Sequence, residues 1–204
     1  MGVLSQFTLI ASSFLLGGIS PGFLLVRWKT GADVRSQGSG GSGATNVGRV
    51  LGRGGFAAVM TLDIAKGAAA VFAARIFGGG ALAEQLCALA VVAGHVWPVG
   101  LGFKGGKGAA TMLGAWLVMA PVLLLPGAVL TLLARLIFRF SLAGLIGLAT
   151  LPVLAFWNLP DPRRGAAATL AFGIVAFAHR DHIRRWREGS RIFSTPNDHD
   201  PAEP

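Results

Sequence analysis

Residues 109–138 read AATMLGAWLVMAPVLLLPGAVLTLLARLIF. The run contains no acid and a single base, Arg135. One unbroken helix of this length would measure about 45 Å at 1.5 Å per residue, against a bilayer core of about 30 Å. Pro121 and Pro126 stand near its middle, where a helix loses a hydrogen bond and meets a steric clash. The run is therefore expected to split into two shorter helices, 109–120 and 121–138, as two short spans or as a re-entrant hairpin. The number of membrane crossings in the whole chain turns on that split.

Composition supports a bilayer setting. The chain has 204 residues, 53% hydrophobic and only 13% charged. A soluble domain carries about 25% charged residues. The other apolar runs lie at 3–26, 52–77, 82–99, 141–157 and 165–180, which with the split run makes about seven transmembrane helices, some short. The fold class expected is all-α, a polytopic integral membrane protein. Residues 1–195 read as one membrane-embedded domain. The polar, acidic residues 196–204 read as a disordered tail.

The chain carries 18 Lys+Arg against 9 Asp+Glu. These bases sit in short segments between apolar runs, where they set orientation and attract anionic lipid or substrate, so nucleic-acid binding is set aside. No base precedes the first apolar run, and Arg27 and Lys29 follow it. This order fits an uncleaved first helix with its N-terminus outside. Seven crossings then place loops 27–50 and 100–108, the Arg139–Ser141 turn and the basic C-terminus on the cytoplasmic face. Six crossings would leave the C-terminal arginines outside, against the positive-inside tendency. Arg163 and Arg164 run the other way, offset only by Asp161. Cys87 is the only cysteine, which excludes an internal disulfide and speaks against a cysteine metal site.

The glycine-rich basic loops are the candidate chemistry. Residues 38–49 read GSGGSGATNVGR and residues 100–108 read GLGFKGGKG. Glycines expose backbone N–H groups and let a loop wrap an anion. Arg adds a bidentate fork for phosphate oxygens and Lys a point charge. Both loops run into helices, whose N-termini attract anions. Two such cradles imply two phosphate groups. Two motif matches fail their context. Residues 38–43 fit G-x-G-x-x-G but follow no strand. Gly106-Lys107 lacks the upstream Gly and the following Ser/Thr of an ATP-binding P-loop.

The segments DVRSQGSGGSGATNVGR (33–49), GHVWPVGLGFKGGKGAAT (94–111) and HRDHIRR (179–185) resemble the three signature segments of the bacterial acyl-phosphate:glycerol-3-phosphate acyltransferase family, PlsY. GGISPG (17–22) and DIAKG (63–67) resemble it in place and spacing. The resemblance implies an all-helical enzyme of the bacterial inner membrane with its site facing the cytoplasm. The enzyme would move an acyl chain from acyl phosphate to the 1-hydroxyl of glycerol 3-phosphate, giving lysophosphatidic acid. It implies no metal and no cofactor, and membrane lipids as partners.

By the same resemblance, Ser39, Arg49 and Lys107, with Lys104, hold phosphate. Gly38, Gly40, Gly43, Gly105, Gly106 and Gly108 let backbone approach the acyl phosphate. Thr45, Asn46, Ser141 and His95 join the substrate site. His179 and His182 are the candidate catalytic residues. No side chain is an obvious nucleophile, and an activated acyl phosphate needs none, since positioning and charge stabilisation can supply catalysis.

Five positions depart from the family pattern. Gly41 and Ser42 stand for an Asn and an apolar residue in the first segment. Gly144 replaces the second Ser of S-L-x-S. His182 stands for an Asn, and Arg191 for a Glu. These changes frame the rival expectations: a relative that acylates another phosphorylated alcohol, or a non-catalytic lipid-binding protein. A transporter would need more midplane charges than the single Asp63–Lys66 pair.

Other polar residues carry two readings. Asp63 and Lys66 are three apart and form either a structural ion pair or part of the site. His95 either braces the loops by a hydrogen bond or touches substrate. Arg184, Arg185 and Arg187 read as interfacial lipid contacts.

Overall fold

The structure, a computed structural model, describes residues 2–187; Arg191 and the tail 196–204 lie outside them. Among the described residues every regular element is a helix. Helix α1 spans Val3–Gly18 and breaks at Ile19–Ser20, so the expected 3–26 helix is two. Helix α2, Pro21–Thr30, starts where the Ser20 hydroxyl accepts the Phe23 N–H at 3.3 Å, with Pro21 in the first turn. Gly31 ends it in a left-handed conformation, φ 73°.

Helix α3, Ala44–Ile76, begins eight residues before the expected 52. Gly48, with the polar Thr45, Asn46 and Arg49 around it, makes residues 44–51 look like loop in the sequence. Packing overrides that propensity: Gly48 leaves room for the Phe56 side chain, and Gly55 for Leu51. Gly52 alone is non-helical, φ 70° and ψ −167°, and kinks α3 there.

Helix α4 is Gly80–Val96 and α5 is Ala109–Met119. A 3₁₀ turn at Pro121–Leu123 separates α5 from α6, Leu124–Ala134. The long apolar run therefore divides, and Pro121 is the breaker. Pro126 lies in the first turn of α6, where a missing N–H costs little. Helices α7, Phe140–Leu148, and α8, Thr150–Asn158, share the expected 141–157 run, parted at Ala149. Helix α9 is Pro162–Ala178, and α10 is Arg180–Arg187.

Among the described residues, four helical stretches are long and apolar enough to cross a membrane: Val3–Thr30, Ala44–Ile76, Gly80–Leu101 and Phe140–Asn158. Ala109–Met119 and Pro121–Ala134 are shorter apolar ones. Leu125, Leu132, Leu133 and Leu136 stand exposed along and just beyond α6, a face suited to hydrocarbon.

Two close helix crossings organise the bundle. α1 lies on α4, and α3 on α5. Each crossing uses a reciprocal glycine pair. A Cβ on Gly17 would overlap the Val91 carbonyl, and one on Gly94 the Phe14 carbonyl. Likewise Gly67 faces the Thr111 carbonyl and Gly114 the Ile64 carbonyl. Hydrocarbon gives little hydrophobic drive between helices, so such backbone approach supplies the contact by close packing. Val91, Val92, Met112, Trp116, Leu151 and Val175 fill the core between them. The crossings bring the starts of α3, α5 and α7 and the ends of α4 and α9 to one end of the bundle.

Candidate active site

Asn46 builds the first loop. It sits in the first turn of α3, buried. Its amide nitrogen reaches the carbonyls of Val34 (2.9 Å), Gln37 (3.0 Å) and Gly41 (2.8 Å). Its oxygen accepts the Ser39 N–H at 3.0 Å. One side chain thus ties together backbone groups from residues 34–41. Gly38 must be glycine: its φ is 53°, and a Cβ would strike the Asn46 amide oxygen. At the base of the loop, the Arg35 guanidinium chelates Asp33 and donates to the Leu101 carbonyl at 2.7 Å. The Arg35 hydrogen bonds to Asp33 hold its carboxyl below its ordinary range.

The second loop folds back on α4. Gly105 N–H donates to Val96 O at 3.2 Å and Gly106 N–H to His95 O at 3.1 Å. Ser42 N–H donates to Gly105 O at 3.4 Å, which ties the loops together. Gly108 takes φ 80° to turn the chain into α5.

A buried polar chain braces this junction from inside. Lys66 Nζ lies 2.9 Å from Asp63 Oδ1 and donates to Gly17 O at 3.0 Å and Ile19 O at 2.9 Å. It thereby satisfies carbonyls left open where α1 breaks. Asp63 Oδ1 lies 3.3 Å from His95 Nδ1, which is also 3.1 Å from Thr111 Oγ1. The other edge of the His95 ring lies over Gly106, where a Cβ would overlap it. His95 therefore braces the loop, and it also lines the pocket. The Asp63–Lys66 pair is both structural and adjacent to the site.

His179 lies just past the end of α9, buried, and lines the same pocket. Its Nδ1 is 2.8 Å from Val175 O. A carbonyl can only accept, so Nδ1 carries the proton and Nε2 keeps a lone pair in the neutral ring. Burial pushes its pKa down to about 4, with Lys107 adding to the shift and the Val175 bond opposing it. His182 is one turn on, its ring 6.1 Å from that of His179. Its Nε2 meets Lys107 Nζ.

The pocket collects Ser39, Gly41 and Gly43 from the first loop, and Gly106, Lys107 and Gly108 from the second. Ala44, Thr45 and Asn46 open α3, Ala109 and Ala110 open α5, and Phe140 and Ser141 open α7. Three helix N-termini thus converge on one cavity beside the Lys107 ammonium. Their unpaired N–H groups and dipoles favour anions, as does Lys107. Asp63 is the acid of the lining, and Lys66 balances its charge.

Several expected residues stand elsewhere. Gly38, Gly40, Arg49, Lys104, Gly105 and His182 are not in the pocket wall. Arg49 is exposed at the loop rim, its Cδ 3.5 Å from where a Gly38 Cβ would be. Lys104 is exposed after the 3₁₀ turn Val99–Leu101. Gly105 shapes its loop, with its added Cβ blocked by His95 O and Pro98. Met60, Phe140, Ala44, Ala109 and Ala110 were not legible as wall residues, since apolar side chains abound in a membrane chain. Gly41 and Gly144, both departures from the family pattern, do line the pocket. Among the described residues no group of His, Cys, Asp and Glu gathers as a metal would require.

Residues 7–189 match the family model described as glycerol-3-phosphate acyltransferase. The chain is 41% identical over 193 residues to a glycerol-3-phosphate acyltransferase of Synechococcus sp. (strain CC9902), covering 92% of this chain and 94% of that one. It is 37% identical over 197 residues to that of Clostridioides difficile (strain 630), covering 93% and 96%. The crystal structure of PlsY, an integral membrane glycerol 3-phosphate acyltransferase, in its glycerol 3-phosphate form superposes with a TM-score of 0.86 at 33% identity. That match covers 94% of this chain and 96% of the other. The lysophosphatidic acid form gives 0.83 at 30% identity with the same coverage. With its apolar helices, its pocket at three helix N-termini and matches along nearly its whole length, this chain belongs to the glycerol-3-phosphate acyltransferase family, as an all-α integral membrane member.

Proposed function

We propose that this protein transfers a fatty acyl group from acyl phosphate to the 1-hydroxyl of glycerol 3-phosphate, giving lysophosphatidic acid for phospholipid synthesis. The observation that carries the reading is the convergence of the N-termini of α3, α5 and α7 with Lys107 on one cavity. Both substrates are phosphate anions, and such a site suits two of them. The hydroxyl oxygen forms the new ester bond as the acyl–phosphate bond breaks. The hydroxyl proton leaves with inorganic phosphate.

Each side chain has a stated task. Lys107 offsets negative charge on phosphate, and the N–H groups of the two loops and helix starts hold the oxygens in place. Ser39, Thr45 and Ser141 offer hydroxyls at the same wall. His179 Nε2 accepts a hydrogen bond from the attacking hydroxyl. With a conjugate acid near 4 it orients that hydroxyl and does not deprotonate it in advance. His182 positions Lys107. The site faces the cytoplasm of the inner membrane, a reading supported by the basic loops at this end.

The test is an assay in proteoliposomes with labelled glycerol 3-phosphate and either palmitoyl phosphate or palmitoyl-CoA, for wild type and Lys107→Ala. Product from the acyl phosphate, lost in the variant, is expected. Product from palmitoyl-CoA alone would replace the donor. No product from folded protein with either donor would sink the reading.

A second reading concerns the acceptor alone. Gly41 and Gly144 line the pocket and His182 touches Lys107, so three departures from the family pattern cluster at the site. A panel including dihydroxyacetone phosphate separates the two. A kcat/KM higher for another acceptor than for glycerol 3-phosphate favours the second.

A further inference from the structure

The acyl donor is an amphiphile, so its chain lies in the bilayer while its head reacts in the pocket. The wall of that pocket includes Met60 of α3 with Phe140 and Gly144 of α7. These two helices do not pack along their lengths: α3 rests on α5 and α4, and α7 on α6. What bridges them is an edge-to-face contact of Phe56 and Phe140, with ring centroids 5.3 Å apart at 82°. Phe140 is 41% exposed, so the bridge stands at the surface of the bundle. Met60 follows Phe56 by four residues, and Gly144 follows Phe140 by four. Each lies one helical turn, about 6 Å, deeper. At Gly144 an added Cβ would meet nothing within 4 Å. A slot one turn below the aromatic bridge is therefore open on its α7 side.

We propose that the acyl chain enters laterally between α3 and α7, that Phe56 and Phe140 are the gate its head must part, and that Gly144 sets the width admitted to the chain behind it. This rests on the acyl-transfer reading above. A single aromatic edge contact is weak and easily opened. A glycine in the slot keeps its floor flat, so a straight chain can lie against the α7 backbone. A bulky side chain at 144 would fill the space the chain needs.

Two measurements test this. The first compares kcat/KM for palmitoyl phosphate and butanoyl phosphate in wild type, Phe56→Ala and Gly144→Phe. Melting temperature in detergent reports folding. Gly144→Phe is expected to lower the palmitoyl-to-butanoyl ratio roughly tenfold or more, as a pocket loses methylene contacts. Phe56→Ala is expected to raise it about threefold, the scale of one aromatic contact. A ratio held at the wild-type value in folded Gly144→Phe overturns the proposal. The second measurement uses the wild-type protein. A palmitoyl phosphonate with a mid-chain diazirine is photolysed in liposomes containing it, and the labelled peptides are mapped. Labels on α3 around Met60 and on α7 are expected; labels confined to α1, α6 or α8 overturn the route. If the wild type turns over no acyl phosphate, the acyl-transfer reading falls, and the labelled helices still decide the route.

Discussion

Glycine serves opposite ends in two regions of this protein. At the α1–α4 and α3–α5 crossings, Gly17, Gly94, Gly67 and Gly114 sit inside regular helix and face a neighbour's carbonyl. There the missing side chain is what matters, and the backbone is rigid. In the loops, Gly38, Gly40 and Gly108 hold left-handed conformations, and Gly41, Gly43 and Gly106 expose backbone to the pocket. There the permitted conformation and the bare N–H matter. The first group holds the bundle together, and the second makes the site. Composition alone cannot separate them. A glycine surrounded by helical neighbours reads as packing, and one beside Ser, Asn or Lys reads as chemistry.

The largest effect should come from breaking the crossings. Gly94→Leu drives a side chain into the Phe14 carbonyl of α1 and is expected to cost about 3 kcal/mol or more. Loss of folded protein from detergent extracts checks it. Lys107→Ala should do the reverse, with stability kept and kcat/KM for acyl transfer down about a hundredfold to a thousandfold. Steady-state kinetics beside a melting curve decide that split. Asn46→Ala lies between the two classes. It strands loop carbonyls and should cost about 2 kcal/mol as well as activity, read by melting temperature and rate together. Lys104→Ala sharpens the contrast with Lys107. This exposed residue should change kcat/KM by no more than about twofold, since surface changes stay within roughly 0.5 kcal/mol. The smallest effect concerns pH. His179 stays neutral down to about 4, so it should contribute no inflection to a rate profile between about pH 6 and 8. An inflection removed by His179→Asn would contradict this.

Much of the site was legible because its physics is local. Gly-rich segments with Ser, Asn and Lys before apolar runs announce anion cradles at helix starts. Asp63 and Lys66 stood out as charges in a membrane helix. Asn46, expected at substrate, lines the pocket, and its amide also ties the loop together. Arg49 and Lys104 share segments with pocket residues yet are exposed and outside the pocket wall, Arg49 on α3 one turn past Thr45 and Lys104 in the loop after the Val99–Leu101 turn. The start of α3 reads as loop because residues 44–51 continue a Gly-rich polar segment, with Gly48 and Arg49 among them, and only the packing of Phe56 on Gly48 and of Leu51 on Gly55 shows otherwise.

The sequence by itself determined the solvent, the helical class, the break at Pro121 and the kind of chemistry. These follow from composition, from the reach of a helix against a bilayer, and from the chemistry of glycine and lysine beside one another. Only the tertiary structure decided which helices cross on their glycines, that three helix N-termini meet at one cavity, and that Phe56 finds Phe140 across 84 residues. Those are contacts between segments distant in the chain. In a membrane protein nearly every apolar residue is an equal candidate for them until the backbones are in place.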